Sequence, residues 1–260
     1  MSESRPGPLL APPAHAPPAL SLPERLRPAV MDLSGLRSGG PVARPRGSRR
    51  PLELYLAEVG SQDRLALRRA RELLDAEERA RASAFHRPRD RDAYVVAHAA
   101  LRGVLSTLMG VPADALPLVR EPCPGCGGPH GRPALRSRDV HFSLSHSGDL
   151  VMVALAPTPV GVDVEGLATA RAVLDARPAL HVAEAEELAL LPLHERPVAF
   201  TRTWVRKEAY LKGLGTGLVR DPSLDYVGTG PRPAAPAAEW TLRDVLVPHG
   251  YAAAVALRTG

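Results

Sequence analysis

Lysine is nearly absent from this chain. Of its 33 basic residues only Lys207 and Lys212 are lysine, and the rest are arginine. Lysine releases a proton near neutral pH when its site depresses its pKa, which arginine cannot do, so two retained lysines call for a role. Cysteine is scarce as well. Cys123 and Cys126 are the only two, too few and too close for a disulfide framework, which fits a reducing compartment. Aromatic residues make up 4%, which leaves no basic face interleaved with rings of the kind that grips nucleic acid. No apolar run approaches the roughly 20 residues of a membrane span. The first 30 residues lack a compact apolar core behind a basic start, so no secretory signal is expected. The expectation is a cytoplasmic protein with neither membrane nor nucleic acid among its partners.

What is present is enough to fold. The chain has 260 residues, 45% of them apolar, which suffices for one large domain or two small ones. Its net charge of +5 sits wholly in residues 1–50, where eight arginines face three acids, while the remainder holds 25 basic and 25 acidic residues. The same fifty residues contain ten prolines and no sustained period. They read as a disordered Pro/Arg-rich tail, dispensable for folding and catalysis.

Structure is expected to begin with a strand at 52–57, followed by helical stretches at 64–83 and 89–109. A Pro/Gly-rich loop occupies 121–133. Strands are predicted at 140–144, 150–156 and 160–165, helices at 182–191 and 196–213, and strands at 240–247 and 251–257. The order of strand, helices and strands occurs twice. That predicts an α+β fold made of a pseudo-twofold pair of similar halves, 51–158 and 159–260, with a cleft between them.

Three clusters carry chemistry. In Gly161-Val162-Asp163-Val164-Glu165 the strand period puts both carboxylates on one face and both valines on the other. Such paired hard oxygens suit Mg²⁺, which takes one or two carboxylates together with waters and phosphate oxygens; they also suit an edge strand with a solvated acidic face. In Trp204-Val205-Arg206-Lys207-Glu208-Ala209-Tyr210-Leu211-Lys212-Gly213, helical spacing puts Trp204, Lys207, Glu208, Leu211 and Lys212 on one stripe. That stripe either lines a cleft, or lies exposed with a Glu208–Lys212 salt bridge. Phe142-Ser143-Leu144-Ser145-His146-Ser147 ends a strand with a histidine between serines, which offers donors to an anion or serves only as a turn. The glycines of 213–217 follow a helix, so they mark its end and not a dinucleotide loop.

In order and spacing these blocks resemble the signature of the surfactin-synthetase type of 4′-phosphopantetheinyl transferase. Phe85-His86-Arg87-Pro88-Arg89-Asp90-Arg91-Asp92, leading into 98–105, and Gly131-Arg132-Pro133 are similar to that family too, so the likeness covers about 52–257. One departure is Ser143, where many members carry Asn; it is expected to alter a loop contact without touching catalysis. The resemblance implies that coenzyme A lies in the cleft, its pyrophosphate bridged to Mg²⁺ held by Asp163, Glu165 and Glu208. A serine of an apo acyl or peptidyl carrier protein, deprotonated by Glu208 or by a water at the metal, would attack the β-phosphorus. Lys212 would neutralise or protonate the leaving adenosine 3′,5′-bisphosphate. Ser145, His146 and Lys207 would meet phosphates, and Arg91 and Arg132 foremost, with Arg81 and Arg89, would take the 3′-phosphate.

The resemblance further implies a monomer serving carriers of fatty-acid, polyketide or nonribosomal-peptide synthesis. Such carriers are acidic, and the arginine-dense stretches 64–71 and 79–91 would meet them. Cys123, Cys126 and His130 form a partial zinc pattern that lacks a fourth ligand, with only His141 near in sequence; a turn-rich loop beside the coenzyme fits as well. Rival readings are a decayed, non-catalytic partner-binding fold and a nucleic-acid or zinc-ribbon module.

Overall fold

The computed structural model describes residues 25–33, 51–129, 131–137 and 139–259. In chain order these form β1 (Arg25–Leu26), β2 (Ala29–Val30), β3 (Glu53–Glu58), α1 (Arg64–Glu72), α2 (Ala76–Ser83) and α3 (Pro88–Met109). Next come β4 (Leu118–Arg120), β5 (Pro133–Leu135), β6 (His141–Ser147), β7 (Leu150–Ala156) and β8 (Val160–Gly166). The chain closes with α4 (Ala170–Asp175), α5 (Val182–Leu190), α6 (Arg196–Leu214), β9 (Trp240–Val245) and β10 (Tyr251–Arg258).

The helical stretch expected over 64–83 is two helices. Asp75 accepts from the Glu78 amide while the Glu78 side chain accepts from the Asp75 amide, a reciprocal cap that starts α2 afresh. α3 opens on Pro88 and α6 carries Pro197 in its first turn, where a missing amide proton costs nothing. α6 ends at Gly215, whose φ of 80° is open to glycine and strained for a residue with a Cβ.

Two four-stranded sheets hold the body, in the orders β2-β3-β7-β6 and β1-β9-β10-β8. In each half an entering strand, β3 or β8, leads to helices and then to a hairpin. The second hairpin strand, β7 or β10, returns to pair antiparallel with the entering strand. One topology therefore occurs twice, as the sequence pattern predicts for a pseudo-twofold α+β pair. Strand alternation then sorts the core into layers. Leu54, Leu56, Met152, Val162, Val164, Val255 and Leu257 pack between the sheets. Tyr55, Val151, Val153 and Leu155 face α3, while Ala254, Ala256 and Leu242 face α6.

The reading of residues 1–50 as a tail outside the fold needs correction. Residues 25–33 belong to the body: β1 pairs parallel with β9 in one sheet and β2 pairs parallel with β3 in the other. Leu33 is fully buried, and its amide donates to the Gln62 side chain. Composition missed this strap because two-residue strands have no period of their own and their partners lie elsewhere in the chain. The remainder of 1–50 lies outside the described residues.

On the opposite side the sheets meet through β6 and β8. The hydroxyls of Ser143, Ser145 and Ser147 accept from the amides of Val162, Val164 and Gly166 at 3.0, 3.4 and 3.3 Å, a side-chain ladder in place of backbone pairing. Ser143 is thus a buried strand residue joining the two halves and not the loop contact expected of it.

Candidate active site

α6 lies so close on β8 that a Cβ on Gly161 would stand 1.9 Å from the Ala209 carbonyl oxygen, and one on Gly213 would stand 2.6 Å from the Trp240 ring. Only glycine permits that approach at either position. It sets the α6-facing side of β8, which carries Asp163 and Glu165, against the row Trp204, Glu208 and Lys212. With Leu144, Ser145 and His146 of β6 these side chains line an open cleft of about 420 Å³.

At its floor Asp163 is 2% exposed. Its Oδ1 accepts from Ser145 Oγ at 2.7 Å and from Lys212 Nζ at 2.6 Å, and Lys212 also reaches Ser145 Oγ at 3.1 Å. Glu165 accepts from Ser147 Oγ at 2.7 Å. The salt bridge of Lys212 is therefore with Asp163 on β8, not with Glu208 on its own helix. Burial raises the pKa of Asp163, against the pull of Lys212. Burial likewise raises Glu165, with the Asp163 charge adding to it. Glu208 is raised by burial and then by the charges of Asp163 and Glu165. His146 is exposed at the cleft mouth, yet crowding of its ring by protein, followed by the charges of His98 and Lys212, lowers its pKa.

Burial is the first cause of all three shifts, and for Glu165 and Glu208 the neighbouring carboxylates add to it. Asp163 Oδ2 is buried without a hydrogen-bond partner, a cost that a hard cation relieves. Among the described residues no three His, Cys, Asp or Glu side chains stand close enough to cage a metal. The set fits a magnesium ion that takes one or two carboxylates and fills its remaining positions with water and substrate oxygens.

Lys207 lies elsewhere, which corrects its expected phosphate contact. It is 1% exposed, paired with the buried Glu184 of α5 at 2.7 Å, and donates to the carbonyls of Pro222 and Asp225. At about 100° per residue the stripe drifts around the helix: Trp204, Glu208 and Lys212 turn to the cleft, whereas Lys207 and Leu211 turn into protein. None of the four candidate 3′-phosphate arginines lines the cleft. Arg81 lies over the Tyr94 ring, Arg89 is exposed and Arg91 bonds Asp92. Arg132 is held by Glu121 and by the Gly213 carbonyl at the end of α6. Ser147 serves Glu165 and not an anion, a pairing that its spacing from Ser145 signals, since it matches that of Glu165 from Asp163.

Cys123 is buried and Cys126 exposed. The amides of Cys126 and Gly125 point at the Cys123 sulfur and lower its pKa. His130 lies outside the described residues. Among the described residues no helix is long and apolar enough to cross a membrane.

Carboxylates from β8 and α6 and the Lys212 ammonium thus meet at a cleft between two repeated halves, an arrangement suited to a metal ion and a phosphate ester. Residues 159–255 match the 4′-phosphopantetheinyl transferase superfamily, and residues 62–158 match the family described as 4′-phosphopantetheinyl transferase, N-terminal. The chain is 31% identical over 194 residues to the 4′-phosphopantetheinyl transferase HetI of a Nostoc species, a match covering 71% of this chain and 78% of that protein. It is 33% identical over 90 residues to a 4′-phosphopantetheinyl transferase of Bacillus pumilus, covering 34% of this chain and 38% of the relative. The chain belongs to the 4′-phosphopantetheinyl transferase family, enzymes that move the phosphopantetheinyl group of coenzyme A to a carrier protein.

Proposed function

We propose that this enzyme is of the surfactin-synthetase type, that it works with Mg²⁺ in the β6–β8–α6 cleft, and that a serine of an apo acyl or peptidyl carrier protein is its acceptor. The observation that carries the reading is the meeting of Asp163, Glu165, Glu208 and Lys212 at one cleft around a buried, unpartnered carboxylate oxygen.

Asp163 and Glu165, steadied by Ser145 and Ser147, present fixed oxygens to the cation, with Glu208 completing the acidic wall. When bound there, a magnesium ion supplies charge neutralisation and polarisation at the coenzyme's pyrophosphate. Glu208, whose pKa is raised by burial and its neighbours, takes the proton from the carrier serine. The serine Oγ forms a bond to the β-phosphorus as the bond from that phosphorus to the bridging oxygen breaks. Lys212 gives charge or a proton to the departing adenosine 3′,5′-bisphosphate, and His146 meets a phosphate oxygen at the mouth. All of these side chains are present, which speaks against a decayed, non-catalytic member.

The test is to incubate the full chain with coenzyme A, Mg²⁺ and a panel of apo carrier proteins and to read intact mass. At least one carrier should gain a phosphopantetheinyl group, and the gain should vanish with EDTA. Modification that persists in excess chelator, or a carrier lacking its serine that is still modified, would sink the proposal.

A further inference from the structure

We infer that Lys212 is a resident counter-ion of Asp163 that a divalent cation has to displace and that the coenzyme's pyrophosphate can take over, so that coenzyme A and metal bind cooperatively through this one side chain. The inference rests on the metal reading above.

The geometry sets up a competition. Lys212 Nζ sits 2.6 Å from Asp163 Oδ1 and 3.1 Å from Ser145 Oγ, so the ammonium already neutralises the carboxylate a metal would need. Asp163 is almost wholly buried and pinned by Ser145, and cannot swing out to meet an ion elsewhere. Two cations held against one carboxylate repel each other, the more so because Asp163 itself is buried. Either the metal is kept out or the lysine leaves.

The lysine can leave. Its side chain is 30% exposed at the cleft, on a flexible four-carbon stem. The other lysine of the chain offers the contrast: Lys207 is sealed among Glu184 and two carbonyls. A pyrophosphate entering the cleft gives Lys212 a new anionic partner and removes its positive charge from beside the Asp163 carboxylate, whose unpartnered Oδ2 then meets the cation without that repulsion. Each ligand then strengthens the other by the same factor, since coupling between two binding equilibria is reciprocal.

With only two lysines in the chain, labelling the lysine ε-carbon gives two NMR signals, and the buried Lys207 serves as a fixed internal reference. Titrating the full chain with Mg²⁺ alone should move the Lys212 signal and leave that of Lys207 in place. By calorimetry Lys212→Met should bind Mg²⁺ alone about tenfold more tightly than wild type. Coenzyme A should tighten Mg²⁺ binding by about tenfold or more in wild type, and by less in the variant. Mg²⁺ binding with an unmoved Lys212 signal, or a variant that binds Mg²⁺ no more tightly, overturns the inference and leaves the metal site standing. No Mg²⁺ binding by wild type, with or without coenzyme A, overturns the metal reading and this inference with it.

Discussion

Lys207 and Glu184 bond to each other in the interior, Nζ to Oε2 at 2.7 Å, with side-chain exposures of 1% and 0%. Glu184 uses its other oxygen to accept from the Val227 amide at 2.7 Å. The pair thereby ties α5, α6 and the segment after α6 into one unit. Burial lowers the Lys207 pKa, and the nearby Glu184 works against that shift.

Removing one partner strands a buried charge, whereas removing both does not. Lys207→Met should therefore cost about 3–5 kcal/mol in urea unfolding, and adding Glu184→Gln, which removes the stranded charge and keeps an acceptor for the Val227 amide, should restore part of the loss. A double variant less stable than Lys207→Met alone would show that the pair is not the origin of the effect.

The serine ladder separates joining from chemistry. Ser143→Ala leaves the buried Val162 amide without its acceptor, so stability should fall by about 1–3 kcal/mol while turnover at low temperature stays close to wild type. Ser145→Ala loses the comparable contact to Val164 and also frees Asp163, so its turnover should fall as well. Equal turnover in the two variants would place Ser145 outside the site.

Asp163→Ala and Glu208→Ala should each lower transfer by at least about a hundredfold, the scale seen when a charge-stabilising group leaves a preorganised site. Circular dichroism should show both folded. Lys212→Arg keeps the charge and should still be severely impaired, because arginine cannot supply a proton. Normal turnover by the arginine variant would reduce Lys212 to a point charge.

Truncation distinguishes the strap from the sequence before it. A chain beginning near Arg50 loses the buried Leu26 and Leu33, each worth about 1.5–3 kcal/mol, together with both parallel pairings. Its melting temperature should drop clearly below that of a chain beginning just before Arg25. Equal melting temperatures for the two would show that the strap adds nothing to stability.

Acid should loosen the first half at Glu78. Burial pushes this carboxyl up, but hydrogen bonds from His98 and Arg102, with their charges, outweigh it and hold the pKa below its ordinary 4.5. A group depressed on folding stabilises above its unfolded pKa, and that stability is lost as pH falls through the folded value. The melting temperature should therefore decline below about pH 4.5, and less steeply in Glu78→Gln. Identical slopes would place the acid sensitivity elsewhere.

The period-two alternation made Asp163 and Glu165 legible, because it depends on the strand alone. The doubled order of elements made the two halves legible for the same reason. The place of Lys207 is not legible in the sequence, because positions three and four along a helix share a stripe in sequence but diverge in space, and Glu184, which claims it, sits on another helix. The ladder was invisible for a related reason: Ser143 and Ser147 gain their meaning only when β6 lies beside β8. Arginine's abundance hid the rest, since a residue type present almost everywhere marks no place in particular.

The strap also governs when the molecule can become whole. Residues 25–26 pair with residues 244–245, so the earliest described strand to be synthesised has to wait for almost the last. Each repeated half closes over sequence-local partners, which is the faster kind of contact to form. The seam across both sheets is the slowest in topological terms. Until β9 emerges, an unpaired edge and the side chain of Leu26 stay uncovered, which leaves the nascent chain open to wrong partners for as long as that wait lasts.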